Sequence, residues 1–226
     1  MSAPALERFA LAVDAETQVD ALLQRAPRAS ACYVFAHGAG AGMRHAFMQT
    51  VADGLAARGV TTLRYQFPYM QRGSRRPDAP SLAHATVRAA CAAAAERLPD
   101  LALFAGGKSF GGRMTSQAQA VAPLPGVRGL VFVGFPLHAP DKPSVARAAH
   151  LADVALPMLF LQGTRDELAE RSLLAAAVQG LGTRATLVEF DGADHAFHVL
   201  KRSGRTDAEV LAGLLDALAG WISLQR

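Results

Sequence analysis

Residues 101–113 read LALFAGGKSFGGR, an apolar run followed by glycines around Ser109 and then by helix-compatible residues. This pattern predicts a strand that ends in a sharp turn and continues as a helix. A serine at such a corner has a strained backbone, so the residues two before and two after it must be small. Here they are Gly107 and Gly111. The turn would raise the Ser109 hydroxyl above the sheet and leave the Phe110 N–H free to bind developing negative charge.

Two glycine-rich phosphate-binding motifs are excluded by their spacing. A P-loop, G-x-x-x-x-G-K-[ST], that ended at Ser109 would need glycine at position 102, where the chain has Ala102. A second glycine-rich loop, residues 37–42, follows the apolar run 31–36. A dinucleotide fingerprint, G-x-G-x-x-G, that began at Gly38 would need glycine in place of Met43. What remains is a loop whose backbone can approach a ligand closely.

Length and composition limit the class of protein. The 226 residues predict one domain over 1–226, and the absence of an uncharged apolar run of 18 residues predicts no membrane span. With Glu7 and Arg8 early in the chain, no secretory signal is expected, so we predict a cytoplasmic protein without a membrane partner. The net charge of +4 is spread along the chain, and nucleic acid is not an expected partner. Cys32 and Cys91 lack the spacing of a zinc site or a disulfide scaffold.

Apolar runs alternate with helical patterns along most of the chain. The alternation predicts a three-layer α/β fold, in which helices flank a mostly parallel sheet whose first strands form an antiparallel hairpin. The connections are too short for a lid domain. The predicted strands are 9–13, 19–23, 31–36, 60–67, 101–105, 127–135, 157–162 and 185–190. The predicted helices lie around 47–55, over 81–98 with Ser81 as its cap, from Arg113, over 168–181, and from Thr206 with a Thr206–Glu209 capping box.

Three polar residues follow predicted strands at the carboxyl edge of this sheet, where parallel α/β sheets carry their chemistry. A serine hydroxyl is a weak nucleophile, so it needs an imidazole as base and a carboxylate to orient that imidazole. The chain order Ser109, Asp166, His195 is that of α/β-hydrolases. His195 is preferred among seven histidines because it alone follows the last strand in a turn-rich loop before the final helix. Asp166 is preferred to Asp141 because it lies just beyond a well-formed strand, although some α/β-hydrolases place the acid one strand earlier.

From about residue 32 to residue 226 the chain resembles an α/β-hydrolase, and more closely the capless group similar to dienelactone hydrolases. The motifs at 106–109, 162–166, 194–195 and 201–206 resemble those of α/β-hydrolase-like proteins related to a subunit of the NSL chromatin complex. The resemblance implies the fold strongly and the substrate hardly at all. Dienelactone hydrolases proper have cysteine where this chain has Ser109, so that particular substrate is not implied.

The remaining site predictions concern the oxyanion hole and the pocket. The Phe110 N–H would act together with an N–H of the 37–42 loop, first Ala39 and next Gly40. His37 is expected to brace that loop, and His45 and His138 to line the pocket. Lys108, directly before the serine, is expected to form a structural ion pair rather than to act in catalysis.

Two clusters of charged residues lie in segments that follow predicted strands. Arg75 and Arg76 belong to a loop that leaves a strand on the same side as Ser109, and they would bind a carboxylate or phosphate of the substrate. The alternative is that they are solvated or pair with acids such as Asp78. Asp191 and Asp194 beside His195 are explained better by turn chemistry than by a metal site.

These patterns together predict a serine hydrolase of esterase type that forms an acyl-enzyme on Ser109, with His195 as base and Asp166 as the orienting acid. It would act on a small-molecule ester or related acyl substrate without metal or cofactor. The alternative is a non-catalytic binding or scaffold module on the same fold, which the chromatin-complex resemblance supports and the apparent triad opposes.

Overall fold

A single eight-stranded sheet organises the part of the chain that the computed structural model describes, residues 5–225. Its spatial order is β1-β2-β4-β3-β5-β6-β7-β8. The β1–β2 and β2–β4 pairs are antiparallel, and all later pairs are parallel, which confirms the predicted hairpin and the mostly parallel sheet. The strands are β1 Ala5–Ala12, β2 Gln18–Arg25, β3 Ala31–Ala36, β4 Val60–Tyr65, β5 Ala102–Lys108, β6 Val127–Val133, β7 Met158–Gly163 and β8 Ala185–Phe190.

Helices cover both faces of the sheet and complete the three layers. The helices are α1 Ala46–Ala56, α2 Pro68–Gln71, α3 Pro80–Arg97, α4 Phe110–Val121, α5 Arg171–Gly180 and α6 Asp207–Leu224. Side chains of α1 and α6 pack with Tyr33 and Phe35 of β3 in one core cluster. Side chains of α3, α4 and α5 pack with the alternate residues Cys32 and Val34 in the other. The period-2 alternation of β3 therefore supplies both cores from one apolar run.

Several predicted helix starts differ from those observed, and each difference has a local cause. The helix α3 begins at Pro80, because the fixed φ of proline suits the first helical position, and the residue before it, Ala79, provides no side-chain cap. Ser81 therefore lies inside the helix and is not its cap. The start of α5 is set by the Glu170 carboxylate, which accepts hydrogen bonds from the next turn. The predicted Thr206–Glu209 capping box of α6 is present.

Two of the longer connections contain short helical segments. The segment after β4 begins with the short helix α2, and the one after β6 contains a 3-10 helix over Ala146–Asp153. Both cysteines are buried and unpaired, and burial raises the pKa of each thiol to about 12, which keeps them protonated. Within residues 5–225 no helix has the length and apolar character needed to cross a bilayer.

Candidate active site

The turn between β5 and α4 holds Ser109 in a conformation that few residues adopt. Its φ is 50° and its ψ is −117°, as predicted for a strained corner. A Cβ atom on Gly107 would lie 2.5 Å from the Ala36 carbonyl oxygen, and one on Gly111 would lie 2.6 Å from the His37 carbonyl oxygen. The glycines on either side of Ser109 are therefore required because the backbone that follows β3 crosses the turn at contact distance.

Ser109, His195 and Asp166 form one hydrogen-bonded chain. His195 Nε2 lies 2.9 Å from Ser109 Oγ, and His195 Nδ1 lies 2.7 Å from Asp166 Oδ2. The carboxylate is an acceptor, so the imidazole proton sits on Nδ1 and the Ser109 hydroxyl donates to Nε2. The three side chains come from the segments after β5, β7 and β8, which all leave the sheet at the same edge.

The Asp166 side chain is buried, and its remaining hydrogen-bonding capacity is satisfied by neighbours in the fold. Gln162 Nε2 donates to Oδ2 at 2.5 Å, and the Leu168 N–H donates to Oδ1 at 2.8 Å. Gln162 is fixed in turn because its Oε1 accepts the Phe135 N–H at 2.8 Å. Sequence reasoning missed Gln162, although an amide at the end of an apolar strand, four residues before the acid, was a usable signal. The rival acid Asp141 is exposed on a turn after β6.

The loop after β3 presents backbone donors next to Ser109. Neither the Phe110 N–H nor the Ala39 N–H has a hydrogen-bond acceptor within residues 5–225, whereas the Gly40 N–H donates to the Tyr69 hydroxyl at 3.2 Å. Of the donors predicted for the oxyanion hole, Phe110 and Ala39 are therefore free, and Gly40 is already engaged.

His37 braces this loop, as predicted. Its Nδ1 donates to the Gly38 carbonyl at 2.8 Å, and its Nε2 accepts the Phe67 N–H at 3.1 Å. Burial lowers the pKa of His37 to about 4, so the ring stays neutral and can accept this bond.

A cleft of about 610 Å³ opens above Ser109 and His195. Within the described residues 5–225 no separate lid domain lies over it. His45, His198 and Asp207 stand among its lining residues, and Lys108 also contributes to its wall. The rest of the wall is mostly apolar and is formed by Ala39, Ala41, Phe47, Met48, Leu168 and Ala196.

Three of the residues predicted to contact substrate lie elsewhere. His138 is buried, with Nδ1 donating to the Ala139 carbonyl and Nε2 accepting the Glu170 N–H, so it ties two loops together and is not part of the cleft wall. Arg75 and Arg76 are exposed and are also absent from the wall.

The rest of the arginine loop is held by one carboxylate. Asp78 accepts the Tyr69 N–H at 2.7 Å and forms an ion pair with Arg72. Arg75 and Arg76 are exposed and form no ion pair within residues 5–225.

The acids around His195 serve the turn that carries it. Asp194 Oδ1 accepts the N–H groups of Ala196 and His198, and Asp191 accepts the Thr164 hydroxyl. Across the described part of the chain, no three histidine, cysteine or acidic side chains converge as metal ligands do.

The predicted ion pair of Lys108 is wrong. No carboxylate within residues 5–225 lies at ion-pair distance from its ammonium group. Nζ instead donates to the main-chain carbonyl of His195 at 2.6 Å. Nζ also lies over the Phe197 ring, 5.6 Å from its centroid, which is within the range of a cation–π contact.

The chain matches a known family. The chain belongs to the α/β hydrolase domain family, whose model matches residues 29–223. A dienelactone hydrolase from Anabaena variabilis is similar in structure, with a TM-score of 0.78, 19% identity, and coverage of 99% of each chain. An α/β serine hydrolase without a lid from Xanthomonas campestris has a TM-score of 0.72 at 19% identity, covering 94% of this chain and 92% of that one. A serine hydrolase homologue from Coxiella burnetii has a TM-score of 0.73 at 20% identity, covering 94% and 95%.

The steric constraint at the serine turn is testable by a pair of glycine substitutions. Gly111→Ala should lower the free energy of unfolding by about 1–3 kcal/mol, because its new methyl group meets backbone that cannot move aside. Gly220→Ala is the matched control, since it lies in α6 with no atom within 4 Å of the added Cβ. It should raise stability by roughly 0.5–1 kcal/mol. Urea denaturation measures both. Equal effects of the two substitutions would contradict the close approach of the β3 loop.

Proposed function

We propose that this protein is a serine hydrolase of esterase type. The observation that carries the proposal is the hydrogen-bonded chain from Ser109 Oγ through the His195 imidazole to the buried Asp166 carboxylate. Such a chain supplies a nucleophile, a base within reach of its proton and a group that orients the base. Two unoccupied backbone N–H groups beside the serine add a place for a negatively charged oxygen.

The acylation half of the reaction follows from these contacts. His195 Nε2 takes the Ser109 hydroxyl proton as Oγ attacks the ester carbonyl. The carbonyl oxygen becomes an oxyanion and accepts hydrogen bonds from the Phe110 and Ala39 N–H groups. When the tetrahedral intermediate collapses, the bond to the leaving alcohol breaks and the imidazolium returns its proton to that alcohol. The acyl group remains on Ser109.

Water completes the cycle by the same route. His195 removes a proton from a water molecule that attacks the acyl carbonyl, and it then returns the proton to Ser109 Oγ as the carboxylic acid leaves. Asp166 accepts the hydrogen bond from the His195 Nδ1–H throughout and stabilises the imidazolium by its charge. Gln162 and the Leu168 N–H keep that carboxylate aligned.

The cleft wall suggests the kind of ester. Phe47 and Met48 of α1 line the space of about 610 Å³ together with Leu168 and Ala196, and this lining is mostly apolar. Burial of an acyl chain there would contribute about 0.8 kcal/mol per methylene group. We therefore propose uncharged esters with a short or medium apolar acyl chain as the substrate class.

The first prediction for this function is covalent labelling. A fluorophosphonate probe should modify Ser109 of the wild-type protein, because a base-activated serine beside oxyanion donors reacts whereas an ordinary serine does not. Intact-mass and peptide mass spectrometry would locate the adduct, and Ser109→Ala is the control that should remain unlabelled. A folded wild-type sample that takes up no probe would contradict the esterase proposal and favour the non-catalytic binding module.

The second prediction separates the two candidate acids. Asp166→Asn should reduce kcat/KM at least ~10²-fold by disturbing the tautomer and orientation of His195, while Asp141→Asn should leave it unchanged. Ser109→Ala and His195→Ala should each cost on the order of 10⁴-fold, and the double variant little more, because the residues act as a unit. Losses that multiply, or a loss in Asp141→Asn instead, would show that the roles are misassigned.

The third prediction concerns substrate charge. In a panel of 4-nitrophenyl esters, acetyl to hexanoyl esters should react faster than a carboxylate-bearing hemisuccinate ester. The double variant Arg75→Ala/Arg76→Ala should treat both kinds as the wild type does, because these arginines are exposed and outside the cleft wall. A selective loss on the charged ester that shrinks as salt rises would instead support substrate binding by the arginine loop.

A further inference from the structure

The side chain of Lys108 joins the two turns that carry the nucleophile and the base. Lys108 directly precedes Ser109, its Cγ passes Gly38, and its Nζ donates to the His195 carbonyl, 87 positions away in the chain. Gly134 makes room for the ammonium group, since a Cβ there would lie 2.9 Å from Nζ. One side chain thus ties the serine turn to the backbone of the histidine.

Among residues 5–225 the ammonium group has no ion-pair partner, but negative charge lies near it. Asp166 faces it from the segment after β7, and Asp194 faces it from the turn after β8 that also carries His195. The segment after β6 approaches the ammonium group at Gly134, and the segment after β3 approaches the Lys108 Cγ at Gly38. Burial lowers the pKa of Lys108 to about 8, and the two carboxylates oppose that shift without cancelling it.

We propose that Lys108 is a positioning residue, which holds the His195 backbone through a charge-assisted hydrogen bond so that the imidazole stays aligned with Ser109 Oγ. The inference rests on the proposed function, because alignment of a base matters only where Ser109 reacts. Charged donors make hydrogen bonds about twice as strong as neutral ones, so the protonated amine is the form that holds the carbonyl firmly.

This role predicts a loss of reactivity in alkaline solution. Lys108 is charged at neutral pH and becomes a neutral amine as the pH rises through about 8. The bond to the His195 carbonyl then weakens, and Ser109 should react more slowly. A residue that merely filled space would give no such dependence.

The effect on stability has the opposite sign and allows the two roles to be separated. Because the folded-state pKa of Lys108 lies below its ordinary value of 10.5, the unfolded chain binds the proton more readily. The charged form therefore costs folding free energy at neutral pH, and stability contributed by this group rises with pH from about 8 towards its ordinary pKa. A methionine in its place removes that cost but also leaves the His195 carbonyl without its donor, so the two effects offset each other.

The test measures the rate of Ser109 labelling by a fluorophosphonate probe between pH 6 and pH 10 in full-length variants. Lys108→Met should label about 10- to 100-fold more slowly at pH 7 and should lack the alkaline fall of the wild type. Lys108→Arg, which stays charged, should label faster than Lys108→Met at pH 9. Lys142→Met, which replaces an exposed lysine, is the matched control and should behave as the wild type. The melting temperature of Lys108→Met should stay within about 4 °C of the wild type, the shift that 1 kcal/mol causes in a domain of this size.

The possible failures are distinguishable. A wild type that is not labelled would overturn the esterase proposal and this inference together. A labelled wild type with an unchanged rate in Lys108→Met would overturn this inference alone. This inference would also be overturned if Lys108→Met lowered the melting temperature as well as the labelling rate and still showed the fall in rate above pH 8. That result would describe a residue needed only for folding.

Discussion

The site depends on the close approach of two backbone segments, one at the end of β3 and the other at the serine turn. The end of β3 and the residue after it, His37, pass the serine turn so closely that Gly107 and Gly111 have no space for a Cβ atom. This contact fixes the distance between the loop after β3 and the first turn of α4. The free N–H groups of Ala39 and Phe110 belong to those two segments, so their separation is set by packing that side-chain motion does not alter.

The two charged groups buried beside this contact, Asp166 and Lys108, both form hydrogen bonds. The Asp166 carboxylate has donors from His195, Gln162 and the Leu168 main chain, which offsets the cost of removing it from water. Lys108 supplies a positive charge near that carboxylate while its hydrogen bond goes to a main-chain carbonyl. The opposite charges therefore lie near each other, and the Asp166 carboxylate keeps its hydrogen bond with His195.

Local patterns in the sequence were sufficient for the fold and for the serine turn. The apolar run 31–36 matches β3 at both ends. Ser109, Asp166 and His195 each follow the strand that the sequence predicts before them, because each lies only a few residues beyond an apolar run. Contacts between distant segments were not predictable in this way. Lys108 and the His195 carbonyl meet only after β5 and β8 are placed in the sheet. His138 is buried because its Nε2 accepts the N–H of Glu170, a residue of a different loop. The start of α5 was missed because a glutamate at position 170 acts as the cap, and glutamate is not among the usual cap residues.

The hydroxyl of Tyr69 links an exposed loop to the backbone beside the serine. Asp78 fixes the Tyr69 main chain, and the Tyr69 hydroxyl accepts the Gly40 N–H one residue beyond Ala39. Through Tyr69, the loop from Arg72 to Asp78 is therefore connected to the backbone beside Ser109, although no residue of that loop lines the cleft. Substitutions in that loop can therefore shift the Gly40 backbone without changing any residue of the cleft wall, and directed evolution of the proposed activity should include this loop.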